Sequence, residues 1–426
     1  MLRPESELRF EVGDSKNVTV TVLEGDAEVF GAPLARNSPL EFSRGKYAIY
    51  SWKGAQVSLD GCESSYVSRD TTMLEAMNVH AVLDAKRKRA VADPAKELQG
   101  PRIMVVGPTD SGKSSLCRIL CGYASRSATK TKPLFIDLDV GQSALGVAGT
   151  MSAGSISPAT ISPIEGIDAG AANPISYFYG HASPGDNPEA YKAIVKLLGD
   201  SAAKRFKEDD ENRCGGMIIN TCGWVDGLGL ELLKYSISAL FVDAVVVVGH
   251  DRLFADLERS RDSTGCFDKS TTIVKVTRSG GVVTRHTGYR RVDRSLGIKK
   301  YFYGGAGGKV LSPAQTVLKF SEFELREIVG EGKADMDDAI LPVGFESTLD
   351  PVRAEPVAMT PSLVGAILAV SHAEKEEDLL STNVSGIVHV TAINVDEGTM
   401  TVLAPCAGPL PGKFLLMGSI TWAEHA

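Results

Sequence analysis

The stretch RIMVVGPTDSGKSSLCRILCGYA, residues 102–124, decides the fold class of this 426-residue chain. It reads as an apolar strand, a glycine-rich loop and the start of a helix, and residues 107–114 match the pattern G-x-x-x-x-G-K-[ST] in full. In such a loop, successive backbone N–H groups surround a phosphate at the positive end of a helix. The lysine reaches the β- and γ-phosphates, and the final hydroxyl reaches Mg²⁺. The stretch therefore predicts a P-loop for a nucleoside triphosphate.

The residues of this loop are candidate ligands of the nucleotide. We predict that Lys113 is a catalytic residue on the transferred phosphate and that Ser114 is a ligand of Mg²⁺. The sequence contains no [NT]-K-x-D loop of the guanine-specific type, because the strand DAVVVVG (243–249) ends in HDRLF, so ATP is favoured over GTP. The predicted ATP-binding residues of the loop are Gly107, Asp110, Ser111, Gly112, Lys113, Ser114 and Ser115.

A second motif, LFIDLDVGQ (134–142), is an apolar strand that ends in acidic residues. P-loop proteins place a carboxylate near the metal ion in this way. Asp137 and Asp139 are two residues apart, which predicts that both point to the same side of the strand. Asp139 lies nearer the carboxyl end, where ligands bind in such sheets, and is the predicted catalytic and metal-binding acid. A role as a cap or a buried partner stays open for one of the two.

The order of the predicted elements indicates an α/β protein with a central, doubly wound parallel sheet. Near-continuous apolar runs alternate with helical segments between residues 96 and 305, as expected for parallel strands covered on both faces. Residues 1–95 read as a β-sandwich followed by a linker helix, because short alternating strands are separated by turn residues. Residues 306–426 read as a small mixed α/β domain, with one helix predicted in PSLVGAILAVSHAE (361–374).

Composition restricts the class of protein. The net charge is −8 and the pI about 5.5, whereas proteins that coat long nucleic acids carry a broad basic surface. The seven cysteines include no CxxC pair, which favours a reducing compartment over a disulfide or zinc framework. No apolar run approaches the ~18 residues of a membrane span, so no membrane partner is expected.

Positive charge is concentrated in one segment after the last predicted strand of the central domain. Residues 285–300 carry six basic side chains against Asp293 alone. Arginines on such a segment suit a lid that neutralises the phosphoryl group during transfer, and we assign residues 285–297 to it. Arg285 and Arg290 reach one phosphate only if the segment bends, so we predict a loop-to-helix junction near Gly288. A solvated basic helix is the alternative.

Trp224 closes the stretch INTCGW (219–224), just beyond the carboxyl end of a predicted strand. An indole at this rim can stack on a nucleobase without reading its identity. The alternative is a partly buried core residue, and the residues alone leave both interpretations open.

Several separated motifs together resemble the Clp family of polynucleotide 5′-hydroxyl kinases. They are GPTDSGKSS, LDVGQ, INTCGW, SGGVVTRHTGYRR (279–291) and KKYFYGG (299–305), and the similarity extends to ESELRFEV and GKYAIYSW near the N-terminus and FLLMGSI near the C-terminus. The resemblance implies an N-terminal β domain, a central P-loop kinase domain and a small C-terminal domain.

The resemblance also implies roles for individual residues. ATP and Mg²⁺ are bound at Lys113 and Ser114, and Asp139 faces the attacking 5′-hydroxyl and the metal ion. Arg285 and Arg290 act as catalytic lid residues. The adenine is contacted by Glu7 and Lys46, and the RNA end by Gln142, Thr221 and Trp224.

The expected function is therefore transfer of the γ-phosphate of ATP to the 5′-hydroxyl of RNA, with subunits of the pre-mRNA cleavage complex or the tRNA splicing endonuclease as partners in the nucleus. Two other functions stay open: an ATP-bound, non-catalytic scaffold of the cleavage complex, and a kinase of a small nucleoside or nucleotide. The run KRKR (86–89) fits a nuclear localisation signal or a solvated helix face.

Overall fold

The computed structural model describes residues 1–13, 16–167, 174–305, 310–330 and 352–424, and only the backbone of Thr264. The N-terminal strands are β1 (Ser6–Val12), β2 (Val18–Gly25), β3 (Ala27–Val29), β4 (Ala32–Leu34), β5 (Leu40–Phe42), β6 (Gly45–Ser51), β7 (Ala55–Asp60) and β8 (Ser65–Ser68). They form two sheets, of order β4-β3-β6-β1-β8 and β5-β2-β7. Phe10, Val20 and Phe42 from the two sheets pack in one buried core. The predicted β-sandwich is confirmed.

Helix α1 (Met73–Ala92) connects this sandwich to the central sheet. Its KRKR run is not a uniformly solvated face, because the Arg87 side chain is fully buried and its Nε donates a hydrogen bond to the Gly215 carbonyl, at 3.0 Å. Lys88 forms an ion pair with Asp84 on the next turn back, at 3.2 Å. A buried arginine in the middle of the run contradicts the expected solvated face at this position.

The central strands are almost fully buried, as their apolar runs predict, except that the edge strand at 272–276 exposes Thr272, Val274 and Lys275. They are β9 (Arg102–Val106), β10 (Leu134–Asp137), β15 (Met217–Asn220), β16 (Ala244–Val248) and β17 (Thr272–Val276). They pair in parallel in the order β17-β16-β9-β15-β10. Strands β15 and β10 lie on one side of β9, and the later strands β16 and β17 lie on the other side. The P-loop follows β9 and therefore lies at the point where the strand order changes direction, which is where α/β sheets bind ligands.

Helices cover both faces of this sheet, which confirms the doubly wound arrangement. The helices are α2 (Lys113–Ser125), α3 (Pro188–Glu208), α4 (Asp210–Gly215), α5 (Leu228–Ala239), α6 (Asp251–Arg259) and α7 (Thr287–Tyr303). Alternate residues of β9 belong to two cores: Ile103 and Val105 pack with α1 and α2, whereas Met104 and Val106 pack with α3, α5 and α6. None of the helices within the described ranges has the length and apolar character needed to cross a membrane.

The C-terminal strands extend the central sheet instead of forming a separate one. The linking strands are β11 (Thr150–Ser155) and β14 (Ile175–Phe178), beside a hairpin of β12 (Ile161–Ser162) and β13 (Gly166–Ile167). The C-terminal strands are β18 (Ala314–Lys319), β19 (Glu324–Gly330), β20 (Val352–Pro356), β21 (Ala366–Ser371), β22 (Val384–Asn394), β23 (Thr399–Ala404) and β24 (Phe414–Thr421). The described strands continue from β10 through β11 and β14 to β22, with Ser176 opposite Val384 at the junction. The proposed domain boundary at residue 306 lies outside the described residues.

The helix predicted over residues 361–374 is wrong. Pro361–Leu363 forms a single 3₁₀ turn, Gly365 has a φ of +93°, and Ala366–Ser371 forms β21 between β22 and β24. Every residue of β21 is buried. A strand buried on both faces is apolar throughout, and this pattern cannot be told from a buried helix by periodicity.

Candidate active site

The P-loop is a tightly wound turn between β9 and α2. Gly107 and Gly112 have φ values of +155° and +98°, and a Cβ at Gly107 would lie 2.9 Å from both Ser111 Oγ and the Val248 carbonyl oxygen. Helix α2 begins at Lys113 without a side-chain cap. The N–H groups of its first turn are therefore available to a phosphate at the positive end of the helix.

Lys113 lies within this turn, with only 7% of its surface exposed, and its Nζ donates to the Pro108 carbonyl at 2.9 Å. Burial lowers the pKa of Lys113, although the nearby carboxylate of Asp139 opposes this effect. Ser114 is exposed, whereas Ser111 is buried and its hydroxyl has no hydrogen-bond partner. Ser115 is half-buried on the next position of α2. The loop residues thus surround one position with N–H donors, a cation and a free hydroxyl.

The two acids of the second motif have different surroundings. Strand β10 ends at Asp137, which is fully buried and accepts hydrogen bonds from Asn220 Nδ2 (2.9 Å) and from the N–H groups of Asp139 (3.1 Å) and Ala144 (2.5 Å). Burial raises the pKa of Asp137 to about 7. Asp139 lies beyond the end of this strand, so the alternation of side chains that predicted a shared side for the two acids does not extend to it. Asp137 is the buried partner that holds the 138–144 loop.

Asp139 lines the cleft above the P-loop. Its Oδ1 accepts the N–H groups of Gly141 (3.0 Å) and Gln142 (3.2 Å). Burial raises the pKa of Asp139, and Lys113 and these two N–H groups oppose that rise. The carboxylate is therefore fixed in orientation and lies beside the phosphate-binding lysine.

A cleft of about 340 Å³ joins the P-loop to the N-terminal sandwich. Its walls include Glu7 and Lys46 as well as Asp139. Glu7 is buried and accepts hydrogen bonds from Arg9 Nε (2.5 Å) and Thr71 Oγ1 (3.1 Å), whereas the exposed Lys46 forms an ion pair with Glu11 at 3.1 Å. The proposed adenine contacts and the P-loop thus share one cavity.

Several other residues line this cleft that the sequence did not predict, including Arg9, Tyr66 and Glu75. The Arg9 guanidinium lies 5.7 Å from the centre of the Tyr66 ring, and Glu75 accepts hydrogen bonds from both the N–H (2.6 Å) and the hydroxyl (2.7 Å) of Thr277. These residues belong to no local motif. Only the docking of the sandwich and α1 against the end of β17 brings them to the site.

The lid arginines lie over the P-loop and converge on Asp110. The Asp110 carboxylate oxygen Oδ2 accepts the backbone N–H of Arg285 and the Nη2 group of Arg290, each at 2.8 Å. Burial opposes ionisation of Asp110, but these two donors outweigh it and lower its pKa. The Arg285 guanidinium itself lies 3.4 Å from Asp293. Arg290 thus reaches the P-loop carboxylate through its guanidinium and Arg285 through its backbone N–H, and convergence of the two side chains on the nucleotide stays a prediction.

The loop-to-helix junction predicted near Gly288 lies between His286 and Thr287. Helix α7 begins at Thr287, and His286 Nδ1 caps it by accepting the Tyr289 N–H at 3.2 Å. Gly288 lies within the first helical turn, so its flexibility does not produce the bend. The extended backbone of His286, with φ −75° and ψ 164°, produces it instead.

The three predicted RNA-binding residues have different positions. Trp224 is 37% exposed and packs its indole between two glycines, since a Cβ would lie 2.6 Å from it at Gly229 and 2.9 Å at Gly185. The indole is therefore partly exposed, directly after the cleft residue Gly223, and does not belong to a buried core of the described residues. Gln142 lines the cleft, and its buried amide nitrogen has no hydrogen-bond partner. Thr221 is fully buried and donates its hydroxyl to the Val105 carbonyl at 2.9 Å, so it positions the loop that carries Trp224.

The oxygen donors at the site fit a magnesium ion. Within the described ranges, no group of three or more His, Cys, Asp or Glu side chains is arranged to hold a metal ion. The hydroxyl of Ser114 and the carboxylate of Asp139 both line the cleft. Mg²⁺ is usually held by one or two protein oxygens, with water and substrate phosphates completing its octahedron. This small set of hard oxygen donors matches that preference.

Comparison with known proteins places the whole chain in one group. The family profile described as mRNA cleavage and polyadenylation factor CLP1 P-loop matches residues 107–304. The N-terminal β-sandwich domain of polyadenylation factor matches residues 1–90, and pre-mRNA cleavage complex II protein Clp1 matches residues 311–424. The three profiles thus follow one another along the chain.

Full-length relatives agree with these profiles. The chain is 40% identical to the protein CLP1 homolog of Arabidopsis thaliana, over 99% of this chain and 94% of the relative. It is 38% identical to the polyribonucleotide 5′-hydroxyl-kinase Clp1 of Homo sapiens, over 99% and 96%. A solved structure of the wild-type Clp1p–Pcf11p complex has the same fold, with a TM-score of 0.83 and 23% identity over 99% of this chain and 97% of that one. Because the family profiles match its sandwich, its P-loop domain and its C-terminal strands, the chain belongs to the Clp1 family of pre-mRNA cleavage factors.

Proposed function

We propose that this protein is an ATP-dependent RNA 5′-hydroxyl kinase that acts in RNA processing in the nucleus. The observation that carries the proposal is the cleft lined by Lys113, Asp139 and the lid residue Arg285, with the partly exposed Trp224 directly after the lining residue Gly223. A P-loop alone supports nucleotide binding. An acid beside the lysine and an aromatic platform outside the phosphate site add what transfer to a nucleic-acid end requires.

The proposed reaction joins the 5′-oxygen of RNA to the γ-phosphorus of ATP. The alcohol is a weak nucleophile, so its alignment and the removal of its proton are the main tasks of the site. Asp139 Oδ1 is engaged by two backbone N–H groups, and we assign the proton to Oδ2. As the new O–P bond forms, the bond between the γ-phosphorus and the bridging oxygen breaks and ADP leaves. Lys113 and the lid arginines stabilise the charge on the transferred group.

Mg²⁺ would be held by Ser114 and Asp139 together with the phosphates of ATP. When bound, it would supply charge neutralisation between the β- and γ-phosphates. The residues of the chain itself perform the other steps. The P-loop N–H groups bind the phosphates, Asp139 orients the 5′-hydroxyl and accepts its proton, and the lid excludes water.

The proposed partners follow from the family. The human relative is named for 5′-hydroxyl kinase activity on polyribonucleotides, and the solved neighbour is a complex with Pcf11p. We infer that this chain acts on RNA 5′ ends and assembles with subunits of a pre-mRNA cleavage complex, and that the tRNA splicing endonuclease is a second partner. Nuclear localisation is part of the same proposal.

The proposal is tested by incubating the purified chain with γ-labelled ATP and one of three acceptors. These are short RNA with a 5′-hydroxyl, the same RNA with a 5′-phosphate, and free nucleosides. We expect label on the hydroxyl form only, with free nucleosides unlabelled. Tight ATP binding without transfer to any acceptor would instead support a non-catalytic scaffold. Label on a free nucleoside would assign the protein to small-molecule kinases.

Replacement of Trp224 by alanine should weaken RNA use and leave ATP binding almost unchanged. Stacking of a base on an aromatic ring contributes about 1–3 kcal/mol, so kcat/KM for RNA should fall roughly 5- to 150-fold. Trp224→Phe keeps an aromatic face and should recover most of this loss. A parallel fall in ATP affinity and thermal stability in Trp224→Ala would show that the indole supports the fold and not the RNA.

A further inference from the structure

Helix α7 carries a lid arginine at one end and the KKYFYGG motif at the other. It is continuous over 17 residues, from Thr287 to Tyr303, and is therefore about 25 Å long. The reaction uses only the first end, where Arg285 and Arg290 contact the P-loop carboxylate. The aromatic residues of the motif lie at the other end of this helix, and the proposed catalysis gives them no role.

The far end of α7 is bound to the C-terminal strands by specific contacts. The Tyr301 hydroxyl accepts the N–H of Ile387 in β22 at 3.0 Å. Gly386 permits this approach, because a Cβ there would lie 2.6 Å from the Tyr301 hydroxyl. The Tyr303 hydroxyl hydrogen-bonds to the Glu424 carboxylate. These contacts fix the helix end to a strand of the extended sheet.

Trp422, just after β24, makes the second part of this attachment. Its ring stacks on Phe302, with centroids 5.8 Å apart and planes 15° from parallel, and its Nε1 donates to Ser295 Oγ at 3.0 Å. Both aromatic rings are buried, with 4% of Trp422 and none of Phe302 exposed. His389 of β22 lies edge-on to the indole, and its Nε2 is 3.0 Å from the Trp422 carbonyl oxygen. We call Ser295, Tyr301, Phe302 and Trp422 the lid anchor.

The opposite end of α7 has few buried contacts. The buried residues of the helix are Ile298 and Phe302, both in its second half, whereas Val292 and Leu296 are each 42% exposed. The first turn is held by polar contacts, the Arg290–Asp110 pair and an Arg44 guanidinium 4.5 Å from the Tyr289 ring centre. The helix is thus packed firmly at the anchor and extends from it toward the P-loop.

We propose that the C-terminal strands position the lid: the lid anchor sets the orientation of α7 and thereby the placement of Arg285 and Arg290 over the transferred phosphate. This inference rests on the proposed kinase function. A tilt of about 5° at the anchor displaces the other end of a 25 Å helix by about 2 Å, which is enough to break a hydrogen bond. Misplacement of a catalytic group by about 1 Å can cost 10²-fold in rate. The anchor residues are positioning residues that act through the arginines.

The test is the double variant Tyr301→Phe/Ser295→Ala, which removes two hydrogen bonds of the anchor and keeps its packing. We expect kcat to fall roughly 3- to 10-fold, with KM and Kd for ATP unchanged, because the lid acts on the transition state and not on nucleotide binding. Tyr177→Phe is the matched control: it also loses a buried tyrosine hydroxyl, bonded to Ser201 in α3 at 3.0 Å, but Tyr177 lies in β14, away from α7. An unchanged kcat in the double variant, or an equal loss in the control, would overturn the proposal.

A coupling experiment separates positioning from general destabilisation. In an Arg290→Lys background, the double variant should lower kcat only slightly further, because both changes act on the same contact. Fully multiplicative losses would contradict the proposal.

Amide hydrogen exchange supplies a readout that does not depend on activity. In the double variant, exchange should increase within residues 285–292 and remain unchanged in β9 and α2. If the wild type proves to transfer no phosphate, the kinase proposal fails, but this local increase would still support the anchor. Unchanged exchange in 285–292, or an increase throughout the chain, would count against it.

Discussion

Replacement of Lys113 by alanine should abolish phosphoryl transfer, with kcat lower by at least about 10³-fold, or roughly 4 kcal/mol. Lys113 is the cation at the start of α2, buried in the P-loop beside Asp139. In a nearly dry site, removal of a preorganised charge costs far more than it would in water. Arg290 also acts on Asp139, but in the free protein it is paired with Asp110 and does not occupy the position of the Lys113 ammonium.

The fold should survive this change. In the free protein, the Lys113 ammonium donates a hydrogen bond to the Pro108 carbonyl, and alanine is the best helix former at the first position of α2. Lys132→Ala is a matched control, since this lysine pairs with Glu211 at 2.6 Å, away from the cleft. The measurement is single-turnover label transfer to 5′-hydroxyl RNA, with the melting temperature followed in parallel. Transfer by Lys113→Ala at the rate of the control would remove the kinase proposal.

The sequence could predict the P-loop because its conformation is encoded locally. Gly107 and Gly112 occupy backbone conformations that favour glycine, and the strand and helix on either side are each recognisable from their own residues. The choice of Asp139 over Asp137 also followed from local order, since the strand ends at the first acid and the second enters the cleft.

Features that depend on long-range packing could not be predicted in the same way. The contact between Arg290 and Asp110 joins residues 180 positions apart, and neither side chain indicates the other as its partner. Gly288 was predicted to permit the bend, but the bend lies at His286, whose ring nitrogen caps the helix. The wrong helix prediction at 361–374 has the same cause. The pairing of β21 with β22 and β24 decides the structure of this segment, and its intrinsic propensity does not.

The lid should show the second large effect, through Arg290. Its guanidinium already lies over the P-loop, 2.8 Å from Asp110 and close enough for its charge to act on Asp139. When the γ-phosphate occupies the loop, it presents more negative charge than Asp110, so the guanidinium has a stronger partner within a short movement. An arginine supplied in cis to a transferring phosphoryl group is worth roughly 10³–10⁵ in rate.

Arg290→Ala should therefore lower kcat by about 10³-fold or more, and Arg290→Lys by at least about tenfold, because lysine keeps the charge but loses the planar fork. ATP affinity should change little, since the contact strengthens in the transition state. Arg285→Ala and Arg285→Lys should show the same ranking of kcat with smaller losses, because the present contact of Arg285 with Asp110 uses the backbone N–H, which both variants retain. The neighbouring Arg291 is exposed on the same helix and provides the control, Arg291→Ala. If Arg290→Ala and Arg291→Ala turn over equally fast, the segment is a solvated basic helix, and catalysis does not depend on a lid.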